Sequence, residues 1–172
     1  MKERKYKLTD EYVVINGKIL YRIEALKDFS NVKKGDRGGF IERESNLSQD
    51  DDCWVYDDAR VYDNAEVLDK ARVYERASLF GKSRAYGDAK IYGGAAVYDS
   101  AKIYGYARVY GYAEVGGNAE VYDYSEVGDR AEVCGNAEVY DHAVVWDRAE
   151  VCGNARVCGE TAVRDRARVC KN

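Results

Sequence analysis

At 172 residues and 46% hydrophobic content, one elongated domain buries enough surface to fold alone. No apolar stretch approaches the roughly 18 residues of a membrane span. The charged start Met1-Lys2-Glu3-Arg4-Lys5 leads into no signal-peptide core, so a soluble, cytoplasmic protein with no membrane partner is expected.

Residues 1–53 form the first region. Two β-prone runs, 12–15 and 18–22, flank Asn16-Gly17, the strongest short hairpin signal a sequence offers. A solenoid exposes an unpaired edge and an open core at each end, so this hairpin and the loop 35–40 are expected to cap the rod that follows.

That rod is predicted over residues 54–172. From Val55 onward the chain repeats every six residues without insertion or deletion. An aliphatic residue recurs at 55, 61, 67 and so on to 169, broken only by Ala85, and a small residue follows each of these after four positions. An even period keeps each class of residue on one side of an extended chain and excludes a continuous helix. The aliphatic and small positions therefore point inward. Third and fourth positions such as Asp63-Asn64, Gly117-Asn118 and Gly153-Asn154 supply bends, being residues that enter the left-handed region readily. The absence of Pro leaves every rung its backbone donor. Three units make a coil of 18 residues, and the resulting rod of about six and a half coils is on the order of 30 Å long at a strand spacing of roughly 4.8 Å.

Val127-Gly128-Asp129-Arg130-Ala131-Glu132 matches the repeat unit of the hexapeptide-repeat superfamily, which the chain resembles. The resemblance implies an all-β fold, a single-stranded left-handed parallel β-helix of triangular section. Closer still is a likeness to tyrosine-rich repeat proteins of bacterial and phage genomes, often named transferases, including the YdcK-like group. It is carried by Leu20-Tyr21-Arg22-Ile23, Ala25-Leu26-Lys27-Asp28-Phe29, Gly35 through Glu42, Asn46-Leu47-Ser48-Gln49 and Cys53-Trp54-Val55, and it implies a phage or prophage setting without a uniform activity.

Acyltransferases of the superfamily use a His base between trimer subunits and loops extruded from the coils. The single histidine here, His142, falls in a bend, and no loop interrupts the repeat. A general base needs a cleft as well as a side chain, so the expectation is a protein that is not an enzyme and needs no cofactor. The three-histidine zinc site of the superfamily's carbonic anhydrases is excluded by composition. Five cysteines without a framework pattern argue for free thiols. Cys134, Cys152 and Cys170, 18 apart, should stack in a line that does not converge on a metal.

Two outward features exceed what folding needs. Second positions carry aromatic residues that should stack as ladders, Tyr56, Tyr74, Tyr92 and Tyr110 in one and Tyr86, Tyr104, Tyr122 and Tyr140 in another, with Tyr62, Phe80 and Tyr98 elsewhere. Charge is banded along the chain: residues 70–112 carry plus five and 114–150 minus eight. Glu114, Glu120, Glu126, Glu132 and Glu138 fill last positions of the acidic band, with Asp123, Asp129 and Asp141 at its bends. Direct nucleic-acid binding by the basic band is disfavoured by its acidic neighbour. These residues, with Tyr92, Tyr98, Tyr104, Tyr110 and Tyr122, are the expected binding surface for a protein partner. The setting suggests a host protein or ribonucleoprotein complex and an inhibitor of a host defence or nucleic-acid-handling machine, of anti-CRISPR type. Acyl transfer with His142 as base, and a self-associating homo-oligomeric rod, are the alternatives.

Overall fold

The computed structural model describes residues 3–172; Met1 and Lys2, part of the charged start, lie outside the described residues. From Trp54 onward each hexapeptide contributes a short strand made of its aliphatic residue and the one before it, such as Arg72–Val73 and Glu114–Val115. Each strand pairs in parallel with the strand 18 residues away, Lys90 with Arg72 and Arg108 for example. Three faces result: a 7-stranded first face starting at Trp54–Val55, a second face starting at Arg60–Val61 within a 10-stranded sheet, and a 6-stranded third face starting at Glu66–Val67. The molecule is a parallel β-solenoid of about seven turns, as the period requires.

The chemistry of each position explains its place. First-position aliphatic residues are buried throughout, from Val55 to Val163, and the Ala residues at the fifth position share the same core up to Ala155. Burial of each valine or isoleucine stabilises by about 1.5–3 kcal/mol, and the corner between two faces has room only for a methyl group. Backbone ladders join the rungs, the amide of Tyr56 donating to the carbonyl of Val73 at 2.8 Å and that of Tyr92 to Val109 at 3.0 Å. Most corners are closed by the fifth-position amide, Ala113 donating to the Tyr110 carbonyl at 3.2 Å.

Only the third position takes the left-handed conformation, with φ of 51° at Asp57, 56° at Asp129 and 66° at Gly117. This narrows the expectation that third and fourth positions share that duty. The fourth position instead faces outward, where Asn118, Asn136 and Asn154 join their amides at 3.1 and 3.0 Å. Third-position aspartates also bind the next rung, since the Asp141 carboxylate accepts the amide of Gly159 at 3.0 Å, and Asp147 that of Asp165 at 2.9 Å.

The head continues the second face. Strand β1 (Tyr6–Ile15) and strand β2 (Lys18–Ala25) form the expected hairpin around Asn16 and Gly17, both at positive φ. The region 35–40, expected as a loop, holds strand β3 (Arg37–Ile41), antiparallel to β2 and parallel to Arg60–Val61. Its glycines are the reason: a side chain on Gly38 or Gly39 would meet the carbonyl oxygen of Val55 or Ala59 at 2.5 Å, so only bare backbone lies this flat on the first coil. Trp54 is sealed by Tyr6 and Phe29, with ring centroids 6.0 and 5.3 Å away. Beside them the buried Lys5 ammonium donates to the carbonyls of Asp51 at 2.6 Å and Cys53 at 2.9 Å. Burial holds the Lys5 pKa below its ordinary value. Among the described residues no helix is long and apolar enough to cross a membrane.

Candidate binding faces and the lone histidine

Stacking at 18-residue intervals places the expected aromatic residues in three columns. On the first face Tyr74, Tyr92 and Tyr110 lie ring on ring at 4.9 and 5.3 Å, with Tyr56 edge-on at 6.3 Å. On the second, Tyr62, Phe80 and Tyr98 stack at 5.2 and 5.5 Å. On the third, Tyr86, Tyr104, Tyr122 and Tyr140 stack at 4.8, 4.9 and 5.1 Å. Tyr62 is buried and the other second-position rings are half-buried, and each parallel pair contributes about 0.5–1.5 kcal/mol beyond its area.

A fourth aromatic column, absent from the sequence-based expectations, stands at fourth positions. Tyr106 stacks on Tyr124 at 4.8 Å, and Tyr124 on His142 at 5.2 Å, at the corner between the third and first faces. Tyr106 is 53% exposed and Tyr124 56%, and Tyr112 at the next corner is 70% exposed. The 18-residue spacing of these fourth-position rings is the signal that marks the column, and the longer second-position ladders overshadow it.

The acidic residues divide by partner. Glu120 accepts from Lys102 and from the Tyr104 hydroxyl, both at 2.8 Å. Glu126 pairs with Arg108 at 3.2 Å, Glu138 with Arg156 at 3.0 Å and with the Tyr122 hydroxyl at 3.2 Å. Asp123, Asp129 and Asp141 sit in the turns and accept amides of the next rung. Glu114 and Glu132, one rung apart on the second face, make no ion pair among the described residues. Among the glutamates of the band, Glu120, Glu126 and Glu138 thus have a cation beside them, whereas Glu114 and Glu132 have none among the described residues.

At the corner between the first and second faces Arg130, Arg148 and Arg166 follow one another on successive rungs, with no ion pair among the described residues. With Tyr112 and the neighbouring turn aspartates Asp129, Asp147 and Asp165 they line an open groove of about 820 Å³. The same rung that ends in Arg148 begins at His142 and carries the exposed Trp146 between them.

The thiols depart from expectation. Cys152 and Cys170 form a disulfide between neighbouring rungs, while Cys53, Cys134 and Cys158 are free. Parallel pairing sets Cys152 directly beside Cys170, a Cα separation of 4.5 Å that suits the bond. The stack also converges more than a line would: Glu150, Cys152 and Cys170 bring their ligand atoms within 4.8 Å of one another, although the disulfide removes both thiolates from metal binding.

No family model matches the chain. A stretch of 61 residues is 36% identical to the protein named uncharacterized acetyltransferase YdcK of Escherichia coli (strain K12). The match takes in 31% of this chain and 19% of that protein, so the chain spans about a fifth of the relative's length. Stacked hexapeptides and this match together support the hexapeptide-repeat β-helix superfamily. The expectation that the protein is not an enzyme is corrected by the same match, because the relative bears an enzyme's name.

Proposed function

We propose that the solenoid carries acyl transfer of the hexapeptide-repeat type on its first face. The observation that supports this is one rung with an imidazole at one corner and a column of arginines at the other. His142 and Arg148 are separated by six residues of extended chain, roughly 20 Å. Arg130, Arg148 and Arg166 suit the phosphates of an acyl-coenzyme A, since guanidinium groups bind phosphate in a bidentate manner. Trp146 offers an indole beside that path. His142 takes the proton of the acceptor's nucleophile as it attacks the thioester carbonyl, and the coenzyme thiolate leaves.

Calorimetry with acetyl-coenzyme A tests the reading. Binding weakened tenfold or more by Arg148→Glu, with kcat lowered about 10²–10⁴-fold by His142→Ala at unchanged KM, is the expected result. No heat of binding to the wild type overturns it.

A second reading is favoured by Glu114, Glu132 and Tyr112: a rigid surface that docks on a protein or ribonucleoprotein partner, in the manner of a phage-encoded inhibitor. Changing Glu114 and Glu132 to Lys leaves every ion pair of the rod intact. A captured partner indifferent to that reversal removes this reading.

A further inference from the structure

We propose that the third face, with its corner column, is a self-association surface on which a second copy of this chain packs antiparallel. A two-fold axis along the strand direction lays each column of the face on its own reverse. In the outward column, Glu66, Arg84, Lys102, Glu120, Glu138 and Arg156 stand on successive rungs. Reversal sets Glu66 against the partner's Arg156, Arg84 against the partner's Glu138, and Lys102 against the partner's Glu120. Every pairing is of opposite sign.

Those charges also pair along the chain, Arg84 with Glu66 and Lys102 with Glu120 at 2.8 Å, so on their own they serve the single rod. The charged members of the corner column have no such internal use. Lys70, Asp88 and Glu160 make no ion pair among the described residues, yet the same reversal sets Lys70 against the partner's Glu160 and Asp88 against the partner's His142. Between them Tyr106 meets the partner's Tyr124, and both rings are exposed. The half-buried column Tyr86, Tyr104, Tyr122 and Tyr140 reverses onto itself as well.

Orientation and choice of face follow from the same pairing. A parallel arrangement, made by an axis along the rod, reverses the strand direction instead and sets the charge column of one copy toward the tyrosine column of the other, so these pairings are lost. Full antiparallel overlap of the first face centres Arg108 on Arg108, and of the second Glu114 on Glu114. Across the six strands of the third face the pairing centres Lys102 on the partner's Glu120, opposite in sign. Aromatic edges at the centre with charge pairs toward the rim have the composition of a specific interface.

The dimer does not depend on acyl transfer, and size measurement reads it without any coenzyme. Light scattering across a concentration series is expected to show the wild type reaching twice its 19.4 kDa mass. Lys70→Glu alone and Glu160→Lys alone should each weaken association about tenfold, and the double variant should restore it. Lys70 and Glu160 lie five rungs apart, on the order of 24 Å, so rescue cannot arise within one chain. Both positions are exposed, and unchanged circular dichroism verifies the fold. A wild type that stays monomeric at about 100 μM, or a double variant no better than the singles, overturns the proposal.

Discussion

The phenol ring of Tyr110 lies across the α-carbon of Gly128, so close that a methyl group built on that glycine would stand 2.3 Å from the ring's Cζ. Tyr98 lies over Gly116 in the same way, at 2.4 Å. Each ring ladder on these two faces ends by folding its last tyrosine over a bare rung. Gly128→Ala should push Tyr110 aside at a cost of about 1 kcal/mol or less, because a side chain can swing away. Gly117→Ala meets backbone, the Gly135 carbonyl at 2.7 Å, and holds φ at 66°; it should cost about 2–3 kcal/mol. Thermal melting of the two variants checks the order.

Two serines replace alanine at the inward corner with opposite consequences. The Ser125 hydroxyl donates to the carbonyls of Tyr122 at 2.7 Å and Val139 at 3.1 Å, whereas the buried Ser83 hydroxyl has no partner among the described residues. Ser83→Ala is expected to stabilise by about 1 kcal/mol and Ser125→Ala to destabilise by a similar amount. Equal melting shifts for both would contradict the assignment.

The Lys102 ammonium, and after it the Tyr104 hydroxyl, hold the Glu120 carboxyl below the usual carboxylate range. A pKa depressed in the folded state contributes stability above the unfolded value and loses it as pH falls through the folded one. Melting temperature should therefore drop on acidification below about pH 4.5, the ordinary glutamate range, with a shallower slope in Glu120→Gln.

Burial, with Glu138 beside it, pushes the Tyr122 hydroxyl up to about 12. Here the sign reverses: the contribution is whole below the unfolded value near 10 and is lost as pH climbs toward 12. Alkaline melting should decline across that window, and Tyr122→Phe should flatten the decline.

The Cys152–Cys170 disulfide ties the exposed strand Arg168–Lys171 to the preceding rung. Reduction should release amide protection over 168–171 while the inner coils keep theirs, since each rung is held mainly by its neighbours. Alkylation of the native protein should mark Cys134 and Cys158 well before the buried Cys53, whose thiol burial pushes up. Uniform loss of protection along the rod would refute this local picture.

The six-residue period, the absence of Pro and the alternation of Val with Ala determined the solenoid without help from distant contacts, because an even period and side-chain volume are properties of each unit. The hairpin at Asn16-Gly17 was legible for the same local reason. Strand Arg37–Ile41 was not, because glycines that read as loop are required by the nearness of Val55 and Ala59, which only the packed coil supplies. The acidic band was visible as a sum along the chain, but a sum mixes three faces, whereas Coulomb energy follows the neighbour one rung away. Tertiary structure alone decided that Lys102 neutralises Glu120 while Glu114 stands free, that Tyr106, Tyr124 and His142 share a corner, and that Cys152 meets Cys170. Each of those outcomes depends on which residues the turns bring onto one column, and charge or reactivity is expressed only between such neighbours.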